Sequence, residues 1–164
     1  MWDPRAPAVG DRAADLPLLD ENGRPVQLSL LPAPLLVIVF RSPEDEASLR
    51  LLRDYRDYTL ALRRAGVSII GVAQAEPSTL AYMRSERGLG FPLYAATLSP
   101  WGLADSNALL LLDRNLRVVQ RAAGERAPAG AMLAFVRRGQ LRGPSLLARV
   151  AQFLMSLQLR PRHP

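Results

Sequence analysis

The 164-residue chain contains no cysteine, and that absence removes a whole chemistry. Without a thiol there is no disulfide, no thiolate nucleophile and no thiolate ligand for a metal. Histidine occurs once, as His163, next to last in a proline-rich end. A serine nucleophile would therefore lack a nearby base, and zinc would lack its usual ligands. Lysine is missing too: all 21 basic residues are arginine, the mark of GC-rich codon usage before it is a mark of function. No apolar run approaches the roughly 18 residues of a membrane span, and the longest, Leu35 to Phe40, is the size of a strand. The opening Met1-Trp2-Asp3-Pro4-Arg5 shows no basic region followed by an apolar stretch. The expectation is therefore a cytoplasmic protein with no secretory signal and no membrane partner.

Hydrophobic residues make up 49% of the chain and charged ones 22%, enough for one folded core. The net charge of +6 is unevenly placed. Residues 1 to 113 hold 11 arginines against 14 acids, a balance of −3, whereas residues 114 to 164 hold 10 arginines against Glu125 alone, a balance of +9. Such a tail suits nucleic acid, anionic lipid, an acidic partner or simple solvation. Nucleic acid is disfavoured, because only Phe135 and Phe153 interrupt the basic residues and both fall where burial is expected.

Turn signals at Asp20-Glu21-Asn22-Gly23 separate Leu16–Leu19 from Val26–Leu30, predicting a β-hairpin. Leu35 to Phe40 reads as a strand buried on both faces. Ser42-Pro43-Glu44-Asp45-Glu46 then predicts a helix start: a cap, a preset φ and acids that favour the helix dipole. The same acids could suggest a hard cation, but the dipole explains them without one, and no metal or other cofactor is expected. The helix runs through Leu49, Leu52, Tyr55, Leu60 and Leu62 to Gly66. Val67 to Ala73 is a second strand, Pro77 opens a second helix ending at Gly88, and Phe91 to Tyr94 is short and extended. Leu109–Leu112 and Leu116–Gln120, joined by Asp113-Arg114-Asn115, make a second hairpin. The order implies an α/β fold, a mixed central sheet with helices on both faces and a right-handed crossover over residues 35 to 73. Gly88-Leu89-Gly90 lacks a glycine-rich turn into a helix and is no nucleotide site.

The tail is predicted to hold a helix from Ala127 to Arg138 and, after Gly143-Pro144, a second one. There Leu146, Leu147, Val150, Phe153, Leu154 and Leu157 form one apolar stripe. Arg137, Arg138, Arg142, Phe153, Leu154 and Leu157 are candidate interaction residues. The helix packs on its own domain or docks a partner, a second copy included.

Several segments together resemble the peroxiredoxin-like proteins of the alkyl hydroperoxide reductase and thiol-specific antioxidant group. They are Val9-Gly10-Asp11 with Ala14-Asp15-Leu16, Leu18 to Leu28, Leu35 to Phe40, Leu62 to Val72, Phe91-Pro92-Leu93, Trp101-Gly102-Leu103 and Leu111 to Leu116. The resemblance implies a thioredoxin-like fold over residues 1–126; residues 127–164 lie outside it and are read from their own pattern as a basic helical extension on the same domain. It also implies where a reactive cysteine would sit: the first turn of the helix after Phe40, where the helix N-terminus favours a thiolate. In a Cys-x-x-Cys register those positions are Asp45 and Ser48. In a Pro-x-x-x-Thr-x-x-Cys register Pro43 matches, but Thr becomes Ala47 and Cys becomes Arg50. The family's arginine or cis-proline before the later strand falls near Ser106-Asn107, and neither is present. The resemblance therefore implies thiol peroxidase ancestry without the thiol: a redox-inactive module, no catalytic residues, and an unidentified protein or peptide partner. A substituted active site built on Asp45, Ser48 and Arg50 or Arg41 is the alternative.

Overall fold

Three apolar runs build the centre of the molecule, and their alternation decides what covers each side. In the computed structural model, which describes residues 2–139, they are β3 (Leu35–Val39), β4 (Ser68–Ala73) and β6 (Ala108–Leu112). Every residue of β3 and β6 is buried, as expected of strands covered on both faces. The remaining strands are β1 (Pro17–Leu19), β2 (Pro25–Gln27), β5 (Leu93–Ala95) and β7 (Val118–Ala123). Together they form one seven-stranded sheet in the order β2-β1-β5-β4-β3-β6-β7. β3 and β5 run parallel to β4, and all other pairs are antiparallel. Val37 stands between Ile70 and Leu110 at the centre of this register.

The parallel pairs are connected by helices, as the geometry of parallel strands requires. α1 (Glu46–Arg64) joins β3 to β4 and α2 (Pro77–Arg87) joins β4 to β5. α3 (Ala129–Arg137) follows β7. All three pack on the face that carries Leu36, Ile38, Phe40, Ile69 and Leu109. This corrects the expectation of helices on both faces. The opposite face, with Val37, Val39, Val72 and Leu110, is closed by irregular chain that delivers Ala6, Ala13, Leu16, Leu28, Leu98, Trp101 and Leu103. Two successive parallel crossovers in the same direction place both helices on one side. Among the described residues the second face is covered by no α-helix, only by irregular chain with single 3-10 turns at Leu28–Leu30 and Ser99–Trp101.

That irregular cover is fixed at several points. The Trp101 indole Nε1 donates to the Ala14 carbonyl at 2.9 Å. Arg121 stacks its guanidinium 4.5 Å from the ring centre of Trp2 and donates to the carbonyls of Ala6 and Pro7. Gly10 and Ala13 donate backbone bonds to Val118 and Leu116.

Other boundaries shift from the expected ones. The first hairpin is shorter than 16–19 and 26–30, because Leu28–Leu30 tightens into a 3-10 turn that buries Leu28. Along α1 the position expected for Leu60 belongs to Thr59, which is buried and donates its hydroxyl to the Tyr55 carbonyl. Leu60 is exposed. Within β4, Gly71 is required by packing: a Cβ there would lie 2.4 Å from the Leu93 side chain. The predicted second tail helix, with Arg142, Phe153, Leu154 and Leu157, lies outside the described residues.

Candidate functional site

The start of α1 lies at the carboxyl end of β3, where a parallel α/β sheet leaves a crevice. Asp45, rather than Ser42, is the cap. Its carboxylate accepts the Ser48 N–H at 2.9 Å, one of the donors a helix start leaves free. Ser42 to Glu44 forms a separate turn, closed by the Asp45 N–H on the Ser42 carbonyl and the Glu44 N–H on the Ser42 hydroxyl. Pro43 stays in that turn. The sequence signal was sound in kind, but a carboxylate three residues before Ser48 caps better than a serine that is already bonded within its own turn.

Around Asp45 the polar groups are mutually satisfied. The Asn107 Nδ2 donates to Asp45 Oδ2 at 3.1 Å, and Asn107 Oδ1 accepts the Arg41 N–H at 2.8 Å. The Arg41 guanidinium pairs with the other carboxylate oxygen, Oδ1. Ser48 is fully buried. Its hydroxyl lies 2.8 Å from Asp45 Oδ2 and 2.7 Å from Asn107 Oδ1, and it accepts the Ser42 N–H at 3.4 Å. One hydroxyl proton serves one of those two acceptors at a time, so the oxygen is already engaged on every side. Among the described residues no buried side-chain nitrogen or oxygen is left without a partner.

The carboxylate is held far below its ordinary range, first by the Arg41 guanidinium, then by the Ser48 hydroxyl, the Asn107 amide and the Ser48 N–H. A carboxylate so firmly ionised is a weak proton acceptor at neutral pH and has no proton to donate. Ser48 has no base to activate it. The perturbation expected of a substituted active site is present, yet its sign is that of a structural anchor.

Beside this network an open groove of about 580 Å³ runs between the first turns of α1 and residues 124–128. Ala47, Arg50, Leu51 and Asn107 form one side of its lining, Gly124 and Pro128 the other. The second wall is tied down by three bonds. Gly124 donates its N–H to the Asn107 carbonyl at 2.8 Å, and a Cβ on Gly124 would meet Asn107 Cβ at 2.8 Å. The Tyr55 hydroxyl donates to the Ala127 carbonyl at 3.0 Å, in a setting whose burial pushes the phenol pKa up. Asp54 accepts the Ala129 N–H at 2.7 Å. The structure thus joins Asp45, Ser48 and Asn107 in one network and sets Ala47 and Arg50 in the groove wall. Arg50 projects into solvent and pairs loosely with Glu46, 3.8 Å away. Trp101 is on the opposite face of the sheet and has no part here. Arg137 and Arg138 stand at the far end of the fold.

Sequence reasoning missed the groove's second wall. Gly124 and the 127–129 segment belong to it through their own backbone N–H and C=O groups, which leave no residue-type signature. Asp54 and Tyr55 reach them across a sequence separation that gives no local pattern. Among the described residues no group of three His, Asp or Glu is placed to hold a metal, and no helix is long and apolar enough to cross a membrane.

No family model matches the chain, and no curated protein does. Solved structures do. The peroxidoxin BcpB of Mycobacterium tuberculosis superposes with a TM-score of 0.72 over 84% of this chain and 99% of its own, at 18% identity. A thiol peroxidase of Chromobacterium violaceum reaches 0.68 over 87% and 92%, at 20% identity. A peroxiredoxin-like protein of Aquifex aeolicus reaches 0.66 over 81% and 88%, at 10% identity. The chain has the thioredoxin-like fold of the peroxiredoxins, and it carries that fold without a single cysteine.

Proposed function

We propose that this protein is a redox-inactive module of peroxiredoxin fold that binds a peptide or protein segment in the groove between α1 and residues 124–128. The observation that carries the reading is the Asp45 carboxylate. It occupies the helix N-terminus, where the fold would otherwise stabilise a reactive anion, and is locked there by Arg41, Ser48 and Asn107. The seat is filled by a fixed charge that neither attacks nor leaves. The adjoining groove stays open, with apolar lining at Ala47, Leu51, Ala127 and Pro128 and polar or charged groups at Asn107, Arg50, Asp54 and Glu125, a mix that suits an extended peptide. Of the two cysteine registers, the one through Asp45 and Ser48 fits this geometry, since Arg50 lies beyond the first turn and in solvent.

Two measurements test the reading. Purified protein with a thioredoxin or glutathione reducing system should consume no peroxide above buffer, and robust turnover would overturn the redox-inactive assignment. Panning a random peptide library should enrich sequences whose binding is lost in Ala47→Arg, which fills the groove. Enriched peptides indifferent to that substitution, or no enrichment, would overturn the groove assignment.

A further inference from the structure

α1 is 19 residues long, so its C-terminal end lies roughly 28 Å from Asp45. There the fold presents a second cavity, about 710 Å³, lined by Arg64 from the end of α1 and by Arg137 and Arg138 from the end of α3, with Pro34, Ala65 and Val136 between them. All three arginines are exposed. Among the described residues none has a carboxylate within salt-bridge distance, whereas the neighbouring Arg63 is committed to the Gly90 carbonyl. Nor can the following chain neutralise them through its side chains, because residues 126 to 164 contain no aspartate or glutamate.

A cation in the last turn of a helix is ordinary, since it opposes the negative end of the dipole. That accounts for Arg64 and Arg137 one at a time. It does not account for their convergence, with Arg138, on one concavity that has no acid in its lining. Three guanidinium groups around an apolar floor form a receptor for carboxylates, which they take in two-pronged hydrogen bonds, with room between for an aliphatic side chain.

We propose that this cavity is a docking site for an acidic peptide segment of a partner protein, one in which aspartate or glutamate flanks an apolar residue. The concave shape and the apolar floor favour it over a nucleic-acid duplex, which calls for cations spread along a backbone. They favour it equally over a membrane surface, which calls for a helix with large apolar side chains exposed beside its cations, whereas the apolar lining here is Pro34, Ala65 and the buried Val136.

The test is a fluorescence anisotropy titration of the full chain with a fluorescein-labelled Glu-Asp-Leu-Glu-Glu peptide near physiological salt, about 0.15 M. Two triple variants carry the same change in net charge. One is Arg64→Glu, Arg137→Glu, Arg138→Glu. The other is Arg12→Glu, Arg24→Glu, Arg114→Glu, at exposed positions outside the cavity, and circular dichroism checks that both fold. Affinity should fall at least tenfold in the first triple and less than threefold in the second. Equal losses would reduce the effect to net charge and overturn the proposal, as would no binding by the parent chain. A DNA duplex or phosphatidylserine vesicles binding more tightly than the peptide, and losing that binding in the first triple, would overturn it in favour of the other ligand class.

Discussion

The two ends of α1 treat charge in opposite ways. At the N-terminal end one carboxylate receives a guanidinium, a backbone N–H, a hydroxyl and an amide, and the oxygen of Ser48 is enclosed with it. At the C-terminal end three guanidinium groups share a cavity with no acid in its lining. The first end is wired for stability, and the second, on the proposal made above, is where an acidic segment docks. Charge in a crevice is therefore no guide to activity until its partners are counted: the strongly perturbed group is the anchored one, and the arginines at the other end have no carboxylate partner among the described residues.

Four substitutions or conditions would break or sharpen that contrast. The largest effect is expected for Asn107→Ala, which strips the network of a donor to Asp45 and an acceptor for the Arg41 N–H. The Gly124 N–H bond to the residue 107 carbonyl is kept, so the loss reads the side-chain network alone. A loss of about 3 kcal/mol in urea unfolding is expected, the usual cost of orphaning two or more partly buried groups. A loss below about 1 kcal/mol would mean that the two ends differ less than the geometry says.

Acid comes next. The Asp45 pKa is depressed on folding, so its contribution is fully present above the ordinary carboxylate pKa, about 4. It is lost as pH falls below that value toward the folded-state pKa. The melting temperature should drop between pH 4 and pH 2, and Asp45→Asn should be lower at pH 7 yet show a flatter decline. Parallel curves for the two proteins would show that Asp45 does not carry the linkage.

A thiol placed at either candidate position reads the local field directly. Asp45→Cys puts sulfur at the helix start beside Arg41, and its pKa, followed by iodoacetamide reactivity against pH, should lie at least one unit below the free value of about 8.5. Arg50→Cys, exposed on the next turn, should stay near that value. Equal reactivity at both would remove the distinction between the two registers. The smallest effect belongs to the open end: Arg64→Glu, Arg137→Glu and Arg138→Glu should each lower stability by no more than about 1 kcal/mol, the size of the contribution a cation makes at an exposed helix C-terminus. A larger loss would mean that these arginines hold the fold together.

Much of this fold was legible because its central strands are buried on both sides. Leu35–Val39, Ile69–Ala73 and Ala108–Leu112 had to read as unbroken apolar runs, and they did. The side each helix takes was not legible. Amphipathic periodicity says that α1 and α2 have an inner face, but not which surface of the sheet it meets. The cover on the other surface is irregular chain, and its anchors are backbone carbonyls of Ala6, Pro7 and Ala14. Of the candidate site, Asp45, Ser48 and Asn107 were named in advance through a resemblance, and the structure brings those three into contact. Their chemistry could not be read the same way. Whether a carboxylate is a base or an anchor depends on bonds from residues 4, 3 and 62 positions away, and composition is silent on that.

The irregular cover also carries an optical consequence. The only two tryptophans, Trp2 and Trp101, both pack on the surface of the sheet that no described α-helix covers. Indole emission therefore reports that layer, whereas far-ultraviolet circular dichroism is dominated by α-helices, and among the described residues these lie on the other side. The protein carries a separate label on each of its two layers. Coincident melting of the two signals would mark a single cooperative unit, and a gap between them would time the release of one layer from the other.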